Sequence, residues 1–560
     1  MKLMLKGKNI FSIALIVVFI LSLFLRFYKL SSYPVGFHVD EASKGYTAYS
    51  LLHTGKDDNN NFLPLYIDIF GDNSPSGYHF LDIIPVSLFG LTEFAVRFPG
   101  AFTGALSIFA IFLLSYSIFK DKKISLLSAF LLAISPWHIN LSRASSESIV
   151  ALFFILLGFA SIIWSIHAQK IKFIIAGAFL LSISFLFYQT PRAFVPLLFF
   201  ALVVLCFSIW KTKLNNRFKK IFICAFILLL AFDFALIFLI SGGTGRFTQV
   251  NIFNHPETRL VLEEQIREDG VSQTSTFITR LFHNKITNYF LTYTYNYFEY
   301  FSLNFLFIKG LPAWYSIPNI GVFYLIEMPF ILLGLGLLAF NKNKTYLILL
   351  IWLILGPAVA ALTVDEHNLQ RALVMYPVLE IIAAYGIIYS ISKVKNNKKI
   401  MITILAILFF VNSSYFFHQY FIHTKVHQTW YRNNGFPKMI DLIKNNYNNY
   451  DYIVSTRSQG GYPLFLFYLK YDPKKYQLEE SPKDKSYKGF GKFIFVPDIC
   501  PFTSKNPLIP KRNKTIFIED GSCKEVAILQ KVPFEYVLRE DGTKAFRIVY
   551  LQNNQILSAK

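Results

Sequence analysis

Charge is what this chain of 560 residues has least of. Asp, Glu, Lys and Arg make up 16% of it, against roughly 25% in ordinary soluble proteins. Hydrophobic residues reach 54%, aromatic residues 18%, and mean hydropathy is +0.42. That composition excludes a chain that is soluble over most of its length. A Walker loop, a G-x-G-x-x-G fingerprint and any zinc-type Cys/His spacing are also missing, so nucleotide hydrolysis and dinucleotide chemistry have no visible apparatus. No repeat of about 20 to 50 residues recurs, which weakens an inverted-repeat transporter. Cysteine is limited to four residues. Cys206 and Cys224 lie in apolar runs and read as packing residues.

What is present in quantity is long apolar sequence. IFSIALIVVFILSLFL (10–25) and FICAFILLLAFDFALIFLI (222–240) have about the length a helix needs to cross a bilayer core at roughly 1.5 Å per residue. The first is followed by LRFYKLSSYP without a small-residue cleavage site, so it reads as an uncleaved first helix. The net charge of +21 does not point to nucleic acid, because Lys and Arg cluster between the apolar runs: at Lys2/Lys6/Lys8, KDKK (120–123), Lys170/Lys172, KTKLNNRFKK (211–220), Lys342/Lys344 and SKVKNNKK (392–399). Placing these clusters in the cytoplasm gives eleven crossings near 10–28, 99–119, 124–140, 147–166, 171–187, 193–210, 221–240, 320–340, 345–363, 372–391 and 400–420. The alternation closes if YHFLDIIPVSLFG (78–90) does not span, and that stretch is short enough for an interfacial or re-entrant helix. Residues 1–420 are then a transmembrane domain with large outer loops at 29–98 and 241–319.

After residue 420 the composition turns charged and Asn-rich, broken by strand-like DYIVST, KFIFVP, KTIFIED and AFRIVYL and by helical YPLFLFYLKY. Residues 421–560 therefore read as a small extracytoplasmic α/β domain. Cys500 and Cys523 both fall in it, and an oxidising compartment permits a disulfide between them.

The first outer loop carries GFHVDEASKGYTAYSLLHTGKDD, with His38, Asp40, Glu41 and Lys44 just past the first helix. An acidic pair in a loop is commonly no more than solvated charge. Here it stands among further stretches: GLTEFAVRFPGAFTGALSIFAIFLL (90–114), SPWHINLSRASSESIVALFF (135–154), TGRFTQVNIF (244–253), YFEYFSLNFLFIKG (297–310), HNLQRALVMYPVLEIIAAYG (367–386) and YDYIVSTRSQGGYPLFLFYLKYDPKKY in the tail. In order and spacing these resemble the GT-C fold glycosyltransferases that use lipid-linked sugars, the superfamily of the protein O-mannosyltransferases and the lipid A aminoarabinose transferases. The resemblance covers nearly the whole chain. It implies a polytopic α-helical membrane protein of about eleven helices with an outer C-terminal domain, and a membrane glycosyltransferase using a polyprenyl-phosphate sugar.

In that family an Asp of the first outer loop is the general base, and the matching residue is Asp40, followed by Glu41. Glu147 matches a second acidic position, although Arg143 four residues earlier offers it a simple partner. A leaving phosphate calls for cations, and Arg suits phosphate best. Candidates are Arg143, Arg192, Arg246 and Arg371, with Lys44 behind them. Each Arg also reads as an interfacial anchor; Arg192 matches a basic position in the aminoarabinose transferases, and Arg371 stands at the mouth of a late span. The chain departs from those transferases at GDNSPSGYH, where Asn73 and Ser74 replace their Glu and Lys. That puts the aminoarabinose donor in doubt and leaves Asp72 and His79 nearby. The aromatic YFLTYTYNYFEYF (289–301) suits an interfacial belt or a lipid groove.

The resulting expectation is an inverting, metal-independent transferase of the cytoplasmic membrane with a cytoplasmic N-terminus. It takes sugar from a polyprenyl-phosphate donor and gives it to a lipid, glycan or protein acceptor on the outer face, with membrane lipids but no nucleic acid as further partners. No cofactor is implied, although His38 beside Asp40 leaves a divalent ion open. A transporter or flippase of a lipid-linked saccharide is the rival; it would carry ionisable residues near the bilayer midplane, where only Asp233 and the less central Glu380 stand out. An oligosaccharide ligase would differ in donor length.

Overall fold

The computed structural model describes residues 2–552 apart from 70–71, 210–213, 241–248, 311–316, 342, 366, 428–430, 457–460, 480–488, 511–513 and 526–531. The chain divides into two compact units. One holds Met1–Tyr28, Asn73–Pro75 and Gly100–Gln419, the other Lys29–Asp72, Ser76–Pro99 and Tyr420–Lys560. The division after residue 419 falls where the composition changes. The first loop, however, belongs to the unit of the C-terminal domain, whereas composition had attached it to the transmembrane domain.

The first unit is a helical bundle. Among the described residues, eight helices are long and apolar enough to cross a membrane: Ile10–Phe27, Glu93–Phe119, Glu147–Ala168, Thr190–Phe207, Asn216–Leu239, Lys344–Leu362, Leu373–Lys393 and Lys398–His427. A ninth is broken, Lys122–Ile134 and Pro136–Ser142 meeting at 57°. Two shorter apolar helices, Ile171–Ser184 and Leu325–Ala339, fall on the remaining two of the eleven expected crossings. The chain is a multi-pass membrane protein. The break sits at Ser135–Pro136, where proline removes an amide donor and cannot continue the helix above it. The carbonyls it frees are satisfied by Arg26, whose guanidinium donates to Ala133 O at 3.1 Å, Leu132 O at 3.2 Å and His138 Nδ1 at 2.6 Å. Two later helices meet at backbone distance: a Cβ on Gly334 would lie 2.3 Å from Ile382 O, and one on Gly386 2.2 Å from Phe330 O.

The helix Lys285–Glu299, in the aromatic run, is turned inside out. Its buried positions are Asn288 and Asn296, while Ile286, Phe290, Leu291 and Phe298 are exposed. Asn288 donates to Thr258 O at 2.7 Å and Asn296 to Thr363 O at 2.9 Å.

The second unit is built on a six-stranded sheet, β3 (Tyr452–Thr456), β4 (Gly489–Phe490), β5 (Phe493–Val496), β6 (Thr515–Asp520), β7 (Phe534–Leu538) and β8 (Lys544–Leu551), in the order β4-β5-β3-β6-β8-β7; a two-stranded sheet in the first loop supplies β1 (Tyr66–Ile69) and β2 (Asp72–Pro75). β5, β3 and β6 run parallel and the outer pairings are antiparallel. Alternation along β3 sends Ile453 to one face and Val454 to the other. On the Val454 side lie Val496, Phe517, Val549 and Leu551. On the Ile453 side the sheet shares one core with Phe436, Met439, Ile440 and Phe465 and with Phe37, Ala42, Tyr46, Leu91 and Val96 of the first loop. Cys500 and Cys523 are joined in a disulfide. Across the adjacent strands β6 and β8, Glu519 and Arg547 form a fully buried pair at 2.5 Å.

Candidate active site

The first helix, α1 (Lys2–Phe27), is followed by α2 (Val39–Thr54), which the acidic pair opens. His38 is its N-cap: the ring Nδ1 accepts the Asp40 amide at 3.2 Å, and the Glu41 carboxylate reaches back to the His38 amide at 3.1 Å. This is the reciprocal arrangement of a capping box, closed at the other end by Gly55, whose amide bonds Leu51 O at 2.9 Å. The helix therefore gives the two neighbouring carboxylates opposite fates. Glu41 turns inward and is 2% exposed, whereas the Asp40 side chain is 59% exposed, with its carboxylate 3.5 Å from His38 Nδ1.

Glu41 is buried under two arginines. Arg97 Nε donates to it at 3.0 Å and Arg432 Nη2 at 3.3 Å. The Arg97 guanidinium, itself fully buried, also donates to Leu30 O at 3.1 Å, Ser31 O at 3.2 Å and Gly36 O at 2.6 Å, so it folds the loop entering α2 around itself. Burial alone would push the Glu41 carboxyl up; Arg97, then Arg432, and the hydrogen bonds from Arg97 and His38 outweigh that and hold it at about 2. Glu93 lies 3.9 Å from Arg97 and accepts the Tyr468 hydroxyl at 2.5 Å. Arg97 and Arg432 were not singled out in the sequence. For Arg97 a signal existed, because an Arg inside EFAVRFPG starts an apolar helix and must find a counter-charge; Arg432, nearly 400 residues from its partner, left none.

Below α2 lies the helix α3 (Gly77–Phe89). His79 and Asp82, one turn apart on it, are fully buried, and neither makes a hydrogen bond among the described residues. Lys44, 7% exposed, stands 5.2 Å over the Tyr78 ring. Burial, with Lys44 adding to it, pushes the His79 ring down to about 3 and keeps it neutral. Burial also raises Asp82 well above the carboxylate range, against Lys44. Lys44, expected behind the phosphate contacts, is thus part of a buried polar cluster with α3. Among the described residues no three His, Cys, Asp or Glu side chains converge as a metal site.

The other expected residues lie in the bundle. Arg143 is fully buried and donates to Leu25 O at 2.8 Å, Arg26 O at 2.9 Å and Tyr28 O at 2.7 Å. These are carbonyls at the end of the first helix, where no further amides follow. Its guanidinium caps that helix end. Arg192, 6% exposed, donates to Phe185 O at 2.8 Å and lies within electrostatic range of Asp233. Arg371 is paired with Asp365 at 2.8 Å, its side chain 13% exposed. Around that pair Asn368 accepts the Arg371 amide at 3.2 Å, and its own amide reaches the Tyr300 hydroxyl at 3.0 Å. Glu147 is the first residue of the helix Glu147–Ala168 and half-buried. Arg246 lies outside the described residues, as does the side chain of Asp72.

Residues 16–242 match the family model described as dolichyl-phosphate-mannose-protein mannosyltransferase. No curated protein sequence matches the chain. Among solved structures, ArnT from Cupriavidus metallidurans bound to undecaprenyl phosphate has 11% identity and a TM-score of 0.55, over 98% of this chain and 99% of that one. The oligosaccharyltransferase AglB of Archaeoglobus fulgidus, with an acceptor peptide tethered to it, has 12% identity and a TM-score of 0.52, over 82% of this chain; the match spans 63% of the archaeal chain. The same archaeal enzyme with an inhibitory peptide and a dolichol-phosphate gives a TM-score of 0.51. The chain has the GT-C fold of the membrane glycosyltransferases, and over residues 16–242 it matches the protein mannosyltransferase family.

Proposed function

We propose that the chain transfers a sugar from a polyprenyl-phosphate donor to an acceptor hydroxyl on the outer face of the cytoplasmic membrane, with inversion at the anomeric carbon. The observation that carries this reading is the division of labour in the acidic pair. Glu41 is buried and neutralised by Arg97 and Arg432, while Asp40 beside it is presented to solvent at the start of α2. A rigidly held, accessible carboxylate is what proton removal from a hydroxyl requires. The acceptor oxygen attacks the anomeric carbon, its proton passes to Asp40, and the sugar–oxygen bond breaks with its electron pair going to the lipid phosphate. Polyprenyl phosphates occupy both the ArnT and the AglB structures, which supports such a carrier here. The phosphate role stays with Arg192 by resemblance and with Arg371 by its place at the mouth of a late span, and the C-terminal domain is assigned to the acceptor. The cytoplasmic side takes the Lys- and Arg-rich connections.

One observation favours the transporter reading: Glu327 and Glu380 are fully buried in the bundle, and the carboxyl oxygens of Glu327 have no hydrogen-bond partner among the described residues. Intramembrane acids of this kind mark ion pathways in transporters. Purified protein in liposomes carrying labelled polyprenyl-phosphate sugars decides between them. Label appearing on an added acceptor mixture supports transfer; label crossing the bilayer still attached to its lipid, with none transferred, rejects it.

A further inference from the structure

Asp40 is not held by its own helix alone. A short strap just after the last membrane helix, Tyr431–Asn433, grips the loop that leads into α2. The Phe37 amide donates to Arg432 O at 2.7 Å, and Asn433 Nδ2 donates to Phe37 O at 3.3 Å. The Tyr431 ring stacks on His38 with centroids 5.1 Å apart, and the Arg432 guanidinium reaches Glu41 at 3.3 Å. The approach is closed by Gly36: its φ is +78°, and a Cβ there would lie 2.3 Å from Arg432 O. Only glycine lets the two backbones come this near.

These contacts end on the residues that set Asp40. His38 accepts the Asp40 amide and stands 3.5 Å from its carboxylate, so a ring stacked on His38 fixes the imidazole that faces the base. The strap continues directly into the C-terminal domain: Phe436, three residues on, lies in the core that also contains Phe37, Ala42 and Tyr46. Acceptor recognition and base geometry thus run through one short stretch of chain.

We propose that Tyr431, Arg432 and Asn433 form a positioning strap through which the C-terminal domain sets the orientation of Asp40. The proposal rests on Asp40 being the base. A base displaced by a fraction of an ångström loses rate without losing substrate affinity, which separates positioning from binding.

The test is steady-state transfer and donor binding by full-length protein in lipid, with undecaprenyl-phosphate mannose as donor probe and an acceptor that gives measurable native turnover, for Tyr431→Ala, Tyr431→Phe and Asp40→Asn. Tyr431→Ala is expected to lower kcat by about tenfold to a hundredfold with donor Kd unchanged within about twofold, and Tyr431→Phe, which keeps the ring, to restore most of it. Where Tyr431→Ala does not fold, Arg432→Lys is read in the same way, because the amine keeps the charge and loses the planar fork. Native kcat in folded Tyr431→Ala or Arg432→Lys, with Asp40→Asn inactive, overturns the strap alone. Native kcat in Asp40→Asn overturns the base assignment and the strap with it.

Discussion

The first-loop carboxylates illustrate how surroundings fix the chemistry of a buried acid. Glu41 and Asp58 are both buried acids, yet their surroundings act in opposite directions. Glu41, held at about 2 against an ordinary 4.5 by Arg97 and Arg432, contributes stability that is complete above pH 4.5 and lost as pH falls through about 2. Asp58 accepts the Thr47 hydroxyl at 2.9 Å, but burial and then Asp57 push it up to about 7. Its contribution is complete below its unfolded value of 3.8 and is lost as pH rises through about 7. Melting of the purified protein is expected to show Asp58→Asn gaining stability over the native chain at about pH 8 and little at about pH 3; an equal gain at both removes the titration account. Glu41→Gln removes from a dry site the carboxylate that Arg97 and Arg432 share, leaving Arg97 only the more distant Glu93, and such losses cost about 3–5 kcal/mol. Denaturation with stability within about 1 kcal/mol of native contradicts the buried-clamp account.

At the scale of elements, the spans were legible because a bilayer imposes a length and an apolarity that survive in composition, but the stretch 124–140 was read as one continuous crossing and is broken at Pro136. What composition could not reveal was who serves the broken helix. Arg143 read as a phosphate contact or an interfacial anchor and Arg26 was not singled out, yet each donates to backbone carbonyls that a helix end leaves open. Arg26→Leu is expected to expose that debt as a loss of thermal stability greater than that of Arg217→Leu, at a position bearing no such bonds; equal losses would mean the carbonyls find other donors. The inside-out helix Lys285–Glu299 makes a second prediction at this scale. With its asparagines inward and Phe290 and Leu291 outward, spin labels at Phe290→Cys should be open to oxygen and closed to a water-soluble nickel relaxant, as in lipid. A label equally open to nickel would place that face in water.

For the whole molecule, the lesson lies in the first loop. The sequence showed a transmembrane part followed by an α/β tail, and read linearly it attached residues 29–98 to the former. Phe37, Ala42, Tyr46, Leu91 and Val96 instead complete the core under the sheet. No periodicity in the tail announces this, because the missing partners are nearly 400 residues away. It follows that residues 420–560 expressed alone leave one face of the sheet uncovered and should bind a hydrophobic dye, whereas joining residues 29–99 to them should suppress that binding; a compact, dye-silent 420–560 fragment would mean that the first loop is dispensable to the core. The acidic pair stood out in the sequence as a candidate site, but its asymmetry did not, since it depends on Arg432 across that same distance. The central claim is that Asp40 takes the acceptor's proton in transfer from a polyprenyl-phosphate sugar. It is tested most directly by sugar release from radiolabelled polyprenyl-phosphate sugars in lipid, comparing native protein with Asp40→Asn at equal folded yield. Turnover reduced by about a hundredfold to ten-thousandfold with donor binding retained is the predicted result, and native turnover in Asp40→Asn would contradict it.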